Sequence, residues 1–274
     1  MEKWKSECGW DNMNPTQRIE YLEKNEKFDV DVLDDPPTIE LKPEKIDYLR
    51  KKWYNKIKRN IANFFAHKYI EKLIKKKQLN IIQIVGLENL QSVEGGAVIT
   101  CNHFSPLDNF CVQKVFEKVQ KKGQRIWKII REGNYTNPPC MKFFFRNCNT
   151  FPLSSNVSTM KKFLTAVNYV LNNGDYILIY PEESMWLDYK KPKPLKDGAY
   201  NFAVKNNVPV VPIFITFEQN AQGLTEYTIN ISKPIYKDDS KTKAENIKEM
   251  KNINYQNWVD IYENAYHQKM EYLK

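Results

Sequence analysis

From Ile81 onward the chain alternates short apolar runs with longer mixed segments. Runs at 81–85, 97–101, 126–130, 176–180, 208–217 and 227–231 are rich in aliphatic and β-branched side chains, the composition of strands. Between them, 107–119, 159–172 and 195–206 have the length and polarity of helices, and 242–273 reads as a C-terminal helical tail. Strands alternating with helices predict an α/β domain built on a mixed central sheet flanked by helices.

Upstream the pattern changes. After Pro43 the chain runs to Lys77 without glycine or proline, and Trp53, Ile57, Ile61, Phe64, Phe65, Ile70, Leu73 and Ile74 recur at helix-like intervals, predicting one or two amphipathic helices. Lys51, Lys52, Lys56, Lys58, Arg59, Lys68, Lys72 and Lys75 to Lys77 interleave with them. That mixture suits a membrane-docking helix whose lysines meet anionic headgroups and whose aromatics face the acyl chains. It equally suits a surface helix whose apolar stripe packs on the domain. The first 42 residues mix acids, Trp4, Trp10 and the turn-forming pair Pro36-Pro37, with one short helix expected over 15–27. They read as a peripheral arm. The expected organisation is therefore an acidic arm over 1–42, a basic helical segment over 43–79, and an α/β domain with C-terminal helices over 80–274.

Composition sharpens this division. A length of 274 residues allows one full-sized core, and 42% hydrophobic against 27% charged residues is the balance of a folded chain. The net charge of +9 favours anionic partners. It is concentrated: residues 1–42 hold 11 acids and 6 bases, whereas 43–80 hold 12 bases and 3 acids. Cys8, Cys101, Cys111, Cys140 and Cys148 lack the paired spacings of a zinc site or a disulfide framework, so no metal is expected and a reducing cytoplasm fits best. No run of about 18 apolar residues occurs, and the start MEKWKSECGW lacks the apolar stretch of a signal peptide. A peripheral position on the cytoplasmic face of a membrane is the expectation.

The candidate chemistry lies at Asn102-His103-Phe104-Ser105-Pro106-Leu107-Asp108, where a strand gives way to a helix. In α/β folds, sites are built at such strand ends. A carboxylate five residues beyond a histidine, across a Ser-Pro turn, can hold one ring nitrogen and leave the other as a general base. The spacing alone leaves His103 open between that role and a histidine satisfied by backbone partners. Cys101 sits in an apolar run and reads as core.

Asn-His-x-Ser-x-x-Asp resembles the first motif of the glycerolipid acyltransferase superfamily, which includes 1-acylglycerol-3-phosphate acyltransferase, with Asn102, His103, Ser105 and Asp108 in register. Tyr180-Pro181-Glu182-Glu183-Ser184 is similar to that family's Phe-Pro-Glu-Gly-Thr motif, Lys196-Asp197-Gly198 to its Lys-x-Gly element, and Val208-Pro209-Val210-Val211-Pro212-Ile213 to its fourth motif. The resemblance spans about 80 to 220. It implies that His103 and Asp108 are catalytic, and that Asn102, Ser105, Glu182 and Ser184 belong to the substrate site. It further implies that the acyl donor is acyl-CoA or acyl carrier protein, with no cofactor, and that a lysophospholipid is the acceptor, foremost 1-acylglycerol-3-phosphate, in phospholipid biosynthesis.

Two departures bear on the acceptor. The stretch Thr150-Phe151-Pro152-Leu153-Ser154-Ser155 lacks the arginine that ends the family's second motif, and Met185 stands where another arginine is expected. Lys190, Lys193 and Lys196 are the candidate replacements, each a point charge without an arginine's fork. Lys161, Lys162, Lys191, Arg131 and Arg146 are further cations nearby in sequence. Two other readings stay open: the same dyad acting on a different lipid or amphiphilic alcohol, and a non-catalytic basic membrane-binding protein. The ordered motifs speak for an enzyme of lipids rather than a nucleic-acid partner.

Overall fold

The computed structural model describes residues 3–34, 38–137 and 141–274; the Pro36-Pro37 turn and Cys140 lie outside the described residues. Helices α1 (Lys3–Glu7) and α2 (Pro15–Lys24) precede a 3-10 turn at Pro43–Lys45 and the long helix α3 (Trp53–Lys75). Strands β1 (Asn80–Val85) and β2 (Ala97–Cys101) flank the short α4 (Leu87–Gln91). There follow α5 (Asp108–Val119), β3 (Ile126–Ile130), α6 (Glu132–Thr136), α7 (Lys142–Asn147), β4 (Thr150–Pro152), α8 (Val157–Asn172) and β5 (Tyr176–Ile179). The chain ends through α9 (Gly198–Asn206), β6 (Val210–Gln219), β7 (Thr225–Ile231) and α10 (Lys243–Tyr266).

The strands form one mixed sheet in the order β1-β7-β6-β2-β5-β3-β4. The five strands from β6 to β4 run parallel, β7 is antiparallel to β6, and β1 is parallel to β7. The largely apolar runs of β2, β5 and β6 are what a parallel sheet covered on both faces requires. β2, at the centre, is buried throughout, and its alternate residues serve two cores. Ala97, Ile99 and Cys101 join Ile70 and Leu73 of α3 and Cys111, Val112 and Val115 of α5. Val98 joins Phe163 of α8, Tyr200 of α9 and Trp258 of α10. Gly96 precedes β2 because nothing larger fits: a Cβ there would lie 2.2 Å from the Leu171 carbonyl oxygen.

The basic segment yields a single helix, α3, and Asp47 braces the turn that leads into it. Its carboxylate accepts the backbone N–H groups of Lys51 and Lys52 and the amide of Asn55. Of these only the Lys52 N–H is an unpaired backbone donor of the helix end; Lys51 lies before it, and Asn55 is held by its side chain. The apolar residues of α3 divide between two directions. Ala62, Ile70 and Leu73 are buried on the domain, whereas Ile57, Ile61, Phe64, Phe65 and Trp53, the last 72% exposed, are in solvent. No helix among the described residues is long and apolar enough to cross a membrane.

The N-terminal arm differs from its expectation as a peripheral element. Trp10, Leu22 and Val32 form a third core with Trp186, a residue just beyond the Pro-Glu motif. The arm's aromatics follow no helical or strand period, so their destination was not legible from the pattern. Strand β4, three residues long, also escaped prediction because it is too short to show one.

Candidate active site

His103 follows β2 directly, and Asp108 opens α5 after the Ser-Pro turn. His103 Nδ1 lies 2.7 Å from Asp108 Oδ2, and the carboxylate is 1% exposed. Ser105 contributes to the turn through its backbone, its N–H donating to Asp108 Oδ2 at 3.3 Å, while its hydroxyl accepts the Leu107 N–H. A buried carboxylate that accepts Nδ1–H fixes the neutral tautomer with Nε2 as the basic nitrogen. Nε2 makes no hydrogen bond among the described residues.

The neighbouring strand supplies a residue that motif reading did not single out. Thr100 pairs with Ile179, so the residue after β5 emerges level with the residues after β2. That residue is Tyr180, whose ring stacks on His103 with centroids 3.9 Å apart and planes 18° apart. Its hydroxyl donates to Asp108 Oδ1 at 2.6 Å. Burial, then the Asp108 charge, push the Tyr180 phenol well above its ordinary range, so it remains a donor. The dyad is thus a three-part cluster in which Tyr180 holds both partners.

Glu182 lies behind the cluster, 2% exposed. One carboxylate oxygen accepts the His103 backbone N–H at 3.0 Å and the other accepts the Lys193 N–H at 2.9 Å. Lys193, itself buried, donates from Nζ to the carbonyl and hydroxyl oxygens of Ser184 and stands 3.5 Å from Glu182. Burial lowers the Lys193 ammonium to about 8, against the opposing pull of Glu182. The Ser184 hydroxyl donates to the Phe28 carbonyl, and Trp186 Nε1 donates to the Val30 carbonyl at 2.7 Å. Asp31 accepts the Met185 N–H and pairs with Arg131, which also reaches the Glu183 carbonyl. The arm therefore backs the loop that frames the histidine; Trp186 N–H closes this frame on the His103 carbonyl.

The remaining candidates lie elsewhere. Both polar atoms of the Asn102 amide are used on Ile215 of β6, at 3.0 and 2.8 Å, which ties the motif to the sheet. Lys190 pairs with Glu218 and Lys196 with Asp29, both on the surface. Cys101 is a fully buried core thiol whose pKa burial raises well above normal. Among the described residues no group of three or more His, Cys, Asp and Glu side chains could hold a metal ion.

Comparison with known proteins adds three findings. Residues 81–216, which contain the whole cluster, match the family model described as Acyltransferase. The crystal structure of the 1-acyl-sn-glycerophosphate (LPA) acyltransferase PlsC from Thermotoga maritima is similar at 18% identity and a TM-score of 0.47, covering 78% of this chain and 85% of that one. No curated protein matches.

Proposed function

This chain belongs to the Acyltransferase family, and from that premise we propose that it transfers a fatty acyl group from acyl-CoA or acyl carrier protein to the hydroxyl of a lysophospholipid, foremost 1-acylglycerol-3-phosphate. The observation that carries this reading is the 2.7 Å bond from His103 Nδ1 to a buried Asp108, which leaves Nε2 free. Nε2 takes the proton of the acceptor hydroxyl as its oxygen attacks the thioester carbonyl. Asp108 stabilises the imidazolium so formed. Collapse of the tetrahedral intermediate expels the thiolate, which His103 reprotonates, so no covalent enzyme intermediate is needed. Donors to the oxyanion contribute about 3 kcal/mol in such sites.

In this reading Asn102, Glu182, Ser184 and Lys193 hold the frame and Ser105 shapes the turn, while Lys190 and Lys196, paired with Glu218 and Asp29 on the surface, would have to leave those partners to meet an acceptor phosphate. The exposed aromatic and aliphatic side chains of α3, set among lysines, support peripheral docking on an anionic membrane surface, which we propose to be the cytoplasmic face. The lack of an arginine at 150–155 and at Met185 favours a second acceptor class, another lipid or amphiphilic alcohol, using the same dyad.

Release of CoA thiol from palmitoyl-CoA, measured with purified protein and a panel of lysolipids, tests the acceptor assignment. Fastest release with lysophosphatidic acid supports it. Release only with a choline lysolipid would keep the lysophospholipid class and change its headgroup, whereas release only with an uncharged alcohol would replace it with the second class.

A further inference from the structure

A cleft of ≈ 450 Å³ opens between the approach to α3, its first turns, and helices α6 and α7. It shares no residue with the histidine cluster or its frame. Five cations line it, Lys45, Arg50, Lys58, Lys142 and Arg146, against one carboxylate, Asp47. Asp47 is already occupied at the approach to α3 by Lys51, Lys52 and Asn55. None of the five cations forms an ion pair among the described residues.

Arg50 is the unusual member. It is 3% exposed, takes a left-handed backbone conformation (φ 54°), and donates to the carbonyl oxygens of Asp47, Tyr48, Arg146, Cys148 and Thr150. Its Nε is buried without a partner. Arg146 likewise gives Nε and one Nη to the carbonyls of Tyr135 and Thr136. Carbonyl dipoles position these guanidinium groups without cancelling their charge. Lys45, Lys58 and Lys142 are exposed and add mobile charge at the opening. A site with fixed guanidinium and mobile ammonium groups and no free carboxylate is built for a phosphoryl group.

What carries that phosphoryl group follows from the surroundings. α7 packs on α3, and Phe143 at the cleft, Trp53 and Ile57 are all exposed. Apolar side chains beside a cationic cleft match a lipid lying in a bilayer rather than a free anion. We propose that this cleft receives the phosphoryl headgroup of an anionic glycerophospholipid of the bilayer, a lipid-recognition site separate from the site of acyl transfer. The inference rests on the docking role given to α3.

The test is co-sedimentation with phosphatidylcholine vesicles, with and without phosphatidylglycerol, for the native protein, Lys45→Ala/Lys142→Ala and a control pair at the far end of α3, Lys75→Ala/Lys76→Ala. All four lysines are exposed, so the variants should fold. Phosphatidylglycerol should increase binding of the native protein, and the cleft variant should lose that gain by about 25-fold, or fivefold per lysine, with binding to phosphatidylcholine alone unchanged. The control pair should lose much less. Equal losses for the two pairs would overturn the proposal, since they would reduce it to general attraction. A thermal-shift titration with sn-glycerol 3-phosphate separates the sources. If the native protein pellets with neither vesicle, the docking role of α3 fails; stabilisation by glycerol phosphate that the cleft variant loses would then replace the headgroup with a soluble phosphate.

Discussion

His103, Asp108 and Tyr180 act on one another through contacts short enough that each can be tested singly. The Tyr180 hydroxyl shares the Asp108 carboxylate with the imidazole. Tyr180→Phe keeps the stacked ring and removes only that bond, leaving more of the carboxylate's charge to hold the imidazolium. The acid limb of the pH–rate profile should therefore move upward. An unchanged profile would mean that the tyrosine only fills space. Lys193 offers a second test, through stability. Its folded pKa of about 8 lies below the ordinary 10.5, so between these values the native state binds fewer protons than the unfolded chain and this residue's contribution to stability rises with pH. Native protein should gain melting temperature relative to Lys193→Met from pH 8 to 10.5 and show a constant difference below pH 8. The dyad was legible because a motif fixed five-residue spacing across a turn. Tyr180 was not singled out, because its contact depends on the register of β2 against β5.

At the level of elements, the longer strands and helices of the domain were legible to within a few residues, whereas β4 and the short helices α4, α6 and α7, each of three to six residues, are too short to show a period. Thr242 and Glu245 cap α10 reciprocally, and Asn156 caps α8. The arm was the exception: its role arises from bonds such as Phe28 to Ser184 that join residues far apart in sequence. Trp186 is fully buried between the arm and the motif loop, so Trp186→Ala should cost about 3–5 kcal/mol in denaturant unfolding. A loss well under 1 kcal/mol would show that the arm does not brace the loop. α3 makes the opposite prediction. Because Trp53 is largely in solvent, Trp53→Ser should leave the melting temperature unchanged while reducing vesicle binding. Retained binding would remove α3 from the membrane surface.

Across the whole molecule, sheet order decides where the chemistry sits. Placing β5 beside β2 brings Tyr180 and Glu182 to the histidine at the carboxyl ends of the strands, where open α/β sheets bind their ligands. Strand order lay beyond the sequence pattern, because periodicity reports which face is buried and not which strand is adjacent. Net charge was legible as a concentration in 43–80, but the cleft it forms draws Lys142 and Arg146 from a distant helix. The central proposal joins these levels: an acyltransferase family match, the His103–Asp108 bond and a free Nε2 support His103 as the base for acyl transfer. Its most direct test is formation of acylated product from palmitoyl-CoA and lysophosphatidic acid by native protein and by His103→Ala, with circular dichroism to confirm that both are folded. The account predicts product from the native protein and a fall of about 10³-fold on substitution; comparable rates from the two folded proteins would contradict it.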